Sequence, residues 1–477
     1  MTPVAIVGAG ISGLTAAFNL QQRGIPVVVY EGSDRVGGMI NSTCHGGYLV
    51  EDGPNTIMTN SSAVPALIRD LDLESRRMLP SPSAATRYIV RDGSLVRLPK
   101  SLPGAIGTGL LSLGAKLRVL GEPFVSRQTS HLDESLAGFV VRRLGREFLD
   151  YLIDPFVAGV FAGDPEQLSV QHAFPRMAAL EQQHGSLIKG AVLGAKERRL
   201  RNAPLKSEPR MFSFDGGLRV LTDTLADRLN GAIRLKCPVE GIERDADGWR
   251  IASPSGRELY SSVLFSAPAH KLLAMAAGPE LAPAMQGFRQ VNYPPIARLA
   301  FGFSRSQVSH PLDGFGALVP RKESMSILGV LFSSSMFENR APRDQVLLTV
   351  FAGGARNPQL LDQSPDRIAE LALDDLGRLL GITGAPSFMD VKIIDRSIPQ
   401  YNVGYGAVKE LIQGIETRCP GLFFSGSFSH GISVSDCIAG GAAAADRLAR
   451  RICGDSRVCG PAGTAPIAAY PSEVTHA

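Results

Sequence analysis

Three glycines near the start of the chain have the spacing of a phosphate-binding turn. Gly8, Gly10 and Gly13 form a G-x-G-x-x-G pattern directly after a short apolar run. The first glycine permits a tight turn, the second lets backbone approach a pyrophosphate, and the third brings a helix close to a strand. The N-terminus of that helix offers unpaired N–H groups and a positive dipole end to the phosphates. Ile11 and Ser12 complete the predicted cofactor loop.

An acidic residue after the second apolar run favours a dinucleotide that lacks a 2′-phosphate. The run 27–30 is followed by Glu31, whose carboxylate can accept hydrogen bonds from the ribose hydroxyls. FAD or NAD therefore fits better than NADP. Strand, glycines, helix, second strand and acid occur in order, which is more specific than the glycines alone. The alternative is an ordinary glycine-rich turn between a strand and a helix.

The residues that follow Glu31 favour FAD. They form an E-x3-R-x-G-G pattern that contains Arg35 and Gly38, and the stretch 51–55 reads Glu-Asp-Gly-Pro-Asn. This pattern resembles the flavin-containing amine oxidase and phytoene desaturase superfamily, in which the arginine and glycines lie beside the FAD phosphates. The alternative for Arg35 is a solvated surface charge. The resemblance implies FAD contacts from Gly32, Arg35, Gly38, Met39, Gly53, Pro54, Asn55, Thr56 and Val239.

A second glycine-rich stretch lies near the end of the chain and resembles the second flavin motif of the same superfamily. A strand ending at about 426 is followed by Ile432, Ser433 and Val434, and then by a helix predicted from about Asp436. The N-terminus of that helix would face the N1–C2=O edge of the isoalloxazine. That edge becomes anionic on reduction, and a positive helix end stabilises it. The alternative is a terminal helix with a glycine face for packing.

The composition indicates a globular protein with several domains and disfavours other classes. A chain of 477 residues is too long for one core. The net charge of +4 argues against a dedicated nucleic-acid binder. The six cysteines and eight histidines show no metal-ligand spacing, so neither a metal site nor a structural disulfide is expected. No apolar run is long enough to cross a membrane, and the early first strand leaves no signal peptide, so we expect a cytoplasmic location.

Three interior stretches narrow the resemblance to the oxygen-dependent protoporphyrinogen oxidase family. Residues 159–169 resemble its G-V-F/Y-A-G-x-x-x-x-L-S block, 314–320 read G-F-G-A-L-V-P, and 398–404 read I-P-Q-Y-N-V-G. The matches run in the right order along nearly the whole chain. Tyr405 departs from the family pattern, which commonly has histidine there, and this leaves fine substrate specificity open.

The resemblance implies an α/β protein with three parts and a disordered tail. These are a discontinuous Rossmann-type FAD-binding domain, a substrate-binding domain on an antiparallel sheet, and an inserted helical, membrane-associating domain. The FAD-binding domain would comprise 1–76, 211–286 and 421–454, and the substrate-binding domain 77–92 and 287–420. The helical domain would comprise 93–210, and the disordered tail 455–477.

The resemblance also implies a reaction, the six-electron oxidation of protoporphyrinogen IX to protoporphyrin IX in haem biosynthesis, with molecular oxygen as acceptor. The substrate is a large apolar ring with propionates, so its pocket needs apolar walls and one or two cations. Arg87 would bind a propionate, and the Gly159 backbone would face the ring where hydride leaves. No acid or base is assigned, because the cofactor carries the chemistry. The implied ring contacts, for which ordinary core packing is the alternative, are Phe156, Phe315, Leu318 and Phe351.

Other functions stay open. Coproporphyrinogen III oxidase, a close relative, acts on a tetracarboxylate and would need more pocket cations, whereas Arg87 is the only one that the sequence places. A flavin amine oxidase needs an aromatic cage and a flavin-proximal lysine, for which there is no context. A carotenoid desaturase needs a long apolar tunnel. A non-catalytic flavoprotein would not require intact flavin contacts at both ends of the chain.

The charge of the segment 93–210 raises the question of membrane contact. It holds 16 Lys and Arg against 11 Asp and Glu, including Arg198, Arg199 and Arg201. This surplus fits a surface that faces anionic lipid, here the inner face of the cell membrane, and the alternative is a solvated helical face. The sequence also leaves open a homodimer and the hand-over of product to the next tetrapyrrole-pathway enzyme.

Overall fold

The structure, a computed structural model, describes residues 1–99, 104, 107–128, 133–200 and 210–454, without the side chains of 194–200. Two predictions concern other parts of the chain. The predicted tail 455–477 lies outside the described residues. So do Arg201 and the side chains of Arg198 and Arg199, so their role in membrane contact stays a prediction.

A five-stranded parallel sheet assembles strands from three distant parts of the chain. Alternate residues of its central strand enter different cores, with Val4 and Ile6 on one face and Ala5 and Val7 on the other. Both faces are therefore covered, which explains why this strand is entirely apolar. In spatial order the strands are Ile233–Arg234, Val27–Tyr30, Val4–Val7, Ser262–Phe265 and Leu422–Phe424.

Helices cover one face of this sheet and a second sheet covers the other. The first and last long helices lie side by side, and a Cβ at Gly441 would overlap the Ser12 carbonyl oxygen, so only glycine permits this approach. The helices are Ile11–Gln21, Ala63–Asp70, Arg219–Arg228 and Val434–Cys453. The covering sheet contains Gly256–Tyr260, Gly248–Ser253, Gly241–Asp245 and Ala276–Ala277.

A seven-stranded sheet forms the second large layer. All its neighbouring strands are antiparallel except one pair, Gly316–Leu318 with Tyr88–Arg91. One face packs against the amphipathic helix Pro365–Leu380, which Ser364 caps at its start and Gly381 ends in the left-handed conformation. In spatial order the strands are Phe388–Ile394, Ile296–Ser304, Gln345–Gly353, Ile327–Leu331, Gly316–Leu318, Tyr88–Arg91 and Ser94–Arg97.

The last strand of this sheet corrects a prediction. The sequence pattern predicted helical structure from Gly93 onward, but Ser94–Arg97 is a strand paired with Tyr88–Arg91. The reason is the turn between them, because Asp92 and Gly93 both have positive φ, as a two-residue hairpin turn requires. The Asp-Gly dipeptide was the signal for this hairpin.

The described residues between 113 and 200 are mainly helical and have their own core. Its centre holds a buried ion cluster in which Arg143 pairs with Glu122 and, at 3.2 Å, with Glu181. Several of the basic residues counted in this segment are thus neutralised internally. The helices are Leu113–Leu120, Leu136–Leu144, Arg146–Phe148, the π-helical turn Leu149–Ile153, Asp154–Phe161, Val170–Ala173, Pro175–His184 and Leu187–Leu200.

Shorter elements connect these layers. Ser42–His45 and Tyr48–Glu51 form a hairpin, and Met211–Phe214 pairs with both Ile57–Met58 and Arg77–Met78. No helix in the described ranges is both long and apolar enough to cross a bilayer. The remaining helices are Ala269–Leu272, Ala282–Met285, Ser333–Met336 and Gly406–Arg418, and the 3-10 turns are Glu74–Arg76, Pro82–Ala85, Glu122–Phe124, Gln286–Gln290, Arg305–Gln307, Arg321–Glu323 and Pro358–Asp362.

Candidate active site

Two helix N-termini meet beside the carboxyl ends of the parallel strands. The first helix begins after Gly10 and the last helix begins after Ser433. The two helices are neighbours, because a Cβ at Gly441 of the last helix would overlap the Ser12 carbonyl oxygen of the first. Each N-terminus has backbone N–H groups without an intrahelical partner and the positive end of a helix dipole. The pair is therefore suited to bind phosphate and other anions.

The glycine loop leaves room for a ligand at one position only. Gly8 has φ of +105°, and a Cβ there would lie 2.8 Å from the Ala267 nitrogen. A Cβ at Gly13 would overlap the Gly8 carbonyl oxygen. At Gly10, by contrast, nothing lies within 4 Å of the Cβ position. This open space, directly in front of a helix N-terminus, fits the pyrophosphate of a dinucleotide.

Glu31 and Arg35 hold the loops around that space. The Glu31 carboxylate accepts hydrogen bonds from the Ala9 nitrogen at 2.8 Å and from the Ser33 nitrogen at 2.9 Å. The Arg35 guanidinium donates to the Gly38 and Ile40 carbonyls at 2.7 and 3.2 Å. Both side chains bond to backbone here, so their predicted contacts with ribose and phosphate stay predictions.

Two loops that carry other predicted cofactor residues lie beside the glycine loop and against each other. A Cβ at Gly38 would lie 3.4 Å from the Gly10 Cα, and a Cβ at Gly53 would overlap the Met39 carbonyl oxygen, so these loops are in contact. Asn55 donates to the Gly53 carbonyl at 3.1 Å. Gly32, Gly38 and Met39 are exposed, whereas the half-buried members are Gly53, Pro54, Asn55, Thr56, Val239, Ile432 and Ser433.

The last helix begins two residues earlier than predicted. The Ser433 hydroxyl caps it by accepting from the Asp436 nitrogen at 3.1 Å, and the Ser433 nitrogen donates to the Asp436 carboxylate at 3.3 Å. This capping box stabilises the first turn at Val434. Asp436 was predicted as the helix start because the capping serine was not recognised.

Tyr405, the residue that departs from the family pattern, supports the loop before the last helix. Its hydroxyl donates to the Phe428 carbonyl at 2.6 Å, and the Tyr401 hydroxyl donates to the Ser427 carbonyl. The two rings stack with centroids 4.4 Å apart. Burial raises the pKa of both tyrosines, so both stay protonated as donors. The sequence pattern did not predict this positioning role.

The second face of the seven-stranded sheet carries two predicted substrate residues. Gly329, on the strand between them, is the register partner of both Leu318 and Phe351. The three residues therefore form one row across the sheet, and the Leu318 and Phe351 side chains lie on the same face. Gly159, on the helix opposite, faces this row, because a Cβ there would overlap the Leu318 side chain. Phe156 lies three residues earlier on the same side of that helix and is 41% exposed.

Arg87 and Phe315 meet at the edge of the same sheet. The Arg87 guanidinium carbon lies 5.2 Å from the centre of the Phe315 ring, and the Phe315 nitrogen donates to the Thr86 carbonyl at 2.8 Å. Arg87 is exposed. Stacking on the ring orients the guanidinium and leaves its edge free for a carboxylate, as the predicted role requires.

Two further cations lie in the row of the sheet that contains Leu318 and Phe351, and the sequence did not predict them there. Arg298 is the register partner of both Phe351 and Lys392. Arg298 and Lys392 pair with the Asp52 carboxylate at 2.5 and 2.6 Å. The available signal was an arginine inside the otherwise apolar strand Ile296–Ser304. Arg87 is therefore not the only cation on this face.

The pKa values of two neighbouring carboxyl groups are shifted in opposite directions. Burial would raise the pKa of Asp52, but hydrogen bonds from Lys392 and Asn41 and the Arg298 charge outweigh it and lower that pKa. At Glu51 burial prevails and raises the pKa to about 7, although Ser42 donates to it at 2.6 Å. No three His, Cys, Asp or Glu side chains of the described residues are grouped to hold a metal.

A parallel sheet covered on both faces, with open space at Gly10 in front of the first helix N-terminus, is typical of dinucleotide-binding oxidoreductases. Residues 11–449 match the family described as flavin containing amine oxidoreductase. The chain belongs to that family and is an FAD-dependent oxidoreductase.

The similar proteins cover almost the whole chain. Protoporphyrinogen oxidase 2, chloroplastic/mitochondrial, of Arabidopsis thaliana is 36% identical over 472 residues, 93% of each chain. Coproporphyrinogen III oxidase of Bacillus subtilis (strain 168) is 28% identical and covers 92% of this chain and 96% of its own. A crystal structure of an Exiguobacterium sp. 255-15 protein assigned as a protoporphyrinogen oxidase has a TM-score of 0.79 at 24% identity, with 94% and 98% of the two chains covered. That likeness shows the fold.

Proposed function

We propose that this chain oxidises protoporphyrinogen IX to protoporphyrin IX, with FAD as hydride acceptor and molecular oxygen as the final acceptor. The observation that carries the proposal is the 36% identity across 93% of both chains to the Arabidopsis protoporphyrinogen oxidase. The apolar row of Leu318 and Phe351, with Arg87 at the exposed edge, supports it. A ring with apolar faces and peripheral carboxylates matches these two surfaces.

Coproporphyrinogen III oxidation is the second candidate, because the Bacillus relative carries that name. Coproporphyrinogen III carries two more carboxylates than protoporphyrinogen IX, and the site would need cations to bind them. Arg298 and Lys392 are additional cations, but both are already paired with Asp52. They therefore offer little free charge, and protoporphyrinogen stays the first candidate.

The residues have separate tasks in this proposal. FAD, when bound, supplies the site that accepts hydride. The Gly10 opening and the first helix N-terminus hold its pyrophosphate, and the last helix N-terminus stabilises negative charge. Arg87 holds a propionate. The close contact of Gly159 with Leu318, together with Phe351, orients the ring and keeps water away from it.

Anaerobic reduction of the purified holoenzyme tests the proposal. Each porphyrinogen is mixed with the oxidised enzyme in the absence of oxygen, and loss of the flavin absorbance is followed. We expect protoporphyrinogen IX to bleach the flavin faster than coproporphyrinogen III does, and readmitted oxygen to restore the colour. Faster bleaching by coproporphyrinogen III would favour the second candidate, and no bleaching by either would refute both.

The proposal includes peripheral contact with an anionic bilayer from the cytoplasmic side. The supporting surface is a group of apolar side chains on the helix Leu113–Leu120 and the turn after it, which we call the outer stripe. These side chains are 61% to 89% exposed. The leucines have i, i+4 and i+7 spacing, so they share one side of the helix. Insertion of these apolar side chains into the bilayer and attraction of the basic surplus of 93–210 to anionic headgroups would both contribute to the free energy of binding. The outer stripe consists of Leu113, Leu117, Leu120 and Phe124. The homodimer and the hand-over of product stay predictions.

A further inference from the structure

Asp52 stands where the cofactor loops meet the substrate-facing sheet. Its buried carboxylate accepts hydrogen bonds from Asn41 at 2.6 Å, from Arg298 at 2.5 Å and from Lys392 at 2.6 Å. Asn41 follows the predicted cofactor residues Gly38 and Met39, whereas Arg298 and Lys392 lie on two neighbouring strands of the sheet. A single carboxylate thus joins three segments that are distant in sequence.

We infer that Asp52, Arg298 and Lys392 form a clamp that positions the substrate-facing row of the sheet against the cofactor. The inference rests on the proposed function. Arg298 is the register partner of Phe351, and Leu318 lies two strands further along the same row. A shift at the clamped end of the row would therefore move the residues that hold the substrate ring.

Burial makes the clamp sensitive to the loss of one charge. Arg298 is only 1% exposed, so without Asp52 its guanidinium would lose its partner on the cofactor side while remaining out of water. Its second partner, Asp390 at 2.5 Å, belongs to the sheet itself and cannot link it to the cofactor loops. Asp52 acts through position, because a misplacement of about 1 Å can cost about a hundredfold in rate.

The neutral variant Asp52→Asn tests the clamp against a matched control. It should keep stoichiometric FAD, yet its rate constant for flavin reduction by protoporphyrinogen IX in anaerobic stopped flow should fall by about tenfold or more. Its KM should change by less than about threefold, since the Arg87 anchor is intact. Asp390→Asn removes a carboxylate from the same arginine and should stay within about threefold of the parent. Asp52→Glu, which keeps the charge, should recover part of the rate.

A readout without turnover separates the clamp from the proposed activity. Backbone amides of residues 38–56 in the apoprotein should exchange hydrogen for deuterium faster in Asp52→Asn but not in Asp390→Asn. If Asp52→Asn does not retain flavin, Lys392→Met removes one arm and should slow flavin reduction by a smaller factor. The clamp would be overturned if Asp52→Asn and Lys392→Met both reduced flavin and exchanged amide hydrogens as the parent does. It would also be overturned if Asp390→Asn changed these two rates as much as Asp52→Asn does. A parent enzyme that neither porphyrinogen reduces would refute the proposed function, and the exchange experiment would still decide on the clamp.

Discussion

At the residue scale, Arg87 combines exposure with a fixed orientation over the Phe315 ring. We predict that Arg87→Ala raises KM more than it lowers kcat, because the contact is remote from the reacting carbon. A charge-assisted hydrogen bond contributes about 1.5–3 kcal/mol, so kcat/KM should fall about ten- to a hundredfold. Steady-state kinetics with protoporphyrinogen IX provide the measurement.

The control for this prediction is Arg97→Ala in the same hairpin. Arg97 is the register partner of Tyr88, so it lies on the opposite face from Arg87, and it pairs with Asp313 at 2.6 Å. Its removal should leave the kinetics unchanged. Unchanged kinetics in Arg87→Ala, or equal losses in both variants, would remove Arg87 from the substrate site.

Glu51 makes folding stability depend on pH. Its pKa is about 7 in the folded chain and 4.5 in the reference state, so the folded chain binds an additional proton between these values. Stability from this group is therefore fully present below about pH 4.5 and is lost as pH rises through 7. Glu51→Gln, which mimics the protonated form, should flatten the fall of Tm between about pH 5 and 8. The exposed Glu240→Gln should retain the parental pH profile, and a parental profile in Glu51→Gln would contradict the assignment.

At the scale of elements, the helix Leu113–Leu120 exposes three leucines instead of burying them. We predict that Leu117→Glu weakens sedimentation with anionic vesicles about tenfold or more, because a buried leucine side chain contributes about 1.5–3 kcal/mol. High salt should also weaken the binding of the parent protein to anionic vesicles, since exposed charges are screened. Leu79→Glu is the control, at a leucine outside the helical segment that is 56% exposed against 61% for Leu117. Equal binding by parent and Leu117→Glu would exclude the outer stripe from the membrane contact.

The elements also show which signals in the sequence were sufficient. The helix Pro365–Leu380 is specified by its local sequence, because its apolar period, its serine cap and its terminal glycine agree with one another. The hairpin at Asp92 and Gly93 was missed, although the turn dipeptide was present. A short strand has few residues with which to express a period, so its turn chemistry is the better signal.

At the scale of the whole molecule, the predicted FAD contacts come from both ends of the chain and from the loops between. Bound FAD should therefore stabilise the folded state, by about 4 kcal/mol when free FAD is a thousandfold above Kd. We predict that removing FAD lowers Tm by several degrees and that added FAD restores it, whereas added NADP⁺ does not. Differential scanning calorimetry of holo- and apoprotein measures this. An unchanged Tm on FAD removal would mean that the cofactor does not join these segments.

The sequence by itself determined the dinucleotide loop, the preference for FAD and the presence of a helix after each of the two glycine-rich stretches. These features depend on backbone geometry and side-chain period within a few residues, so a local pattern suffices to specify them. Only the tertiary structure decided that Asp52 pairs with Arg298 and Lys392, that Gly159 lies against Leu318, and that Tyr405 holds the loop before the last helix. These contacts join segments that are distant along the chain. Their partners are chosen by strand register and by the need to satisfy buried charge and hydroxyl groups, which no local pattern records.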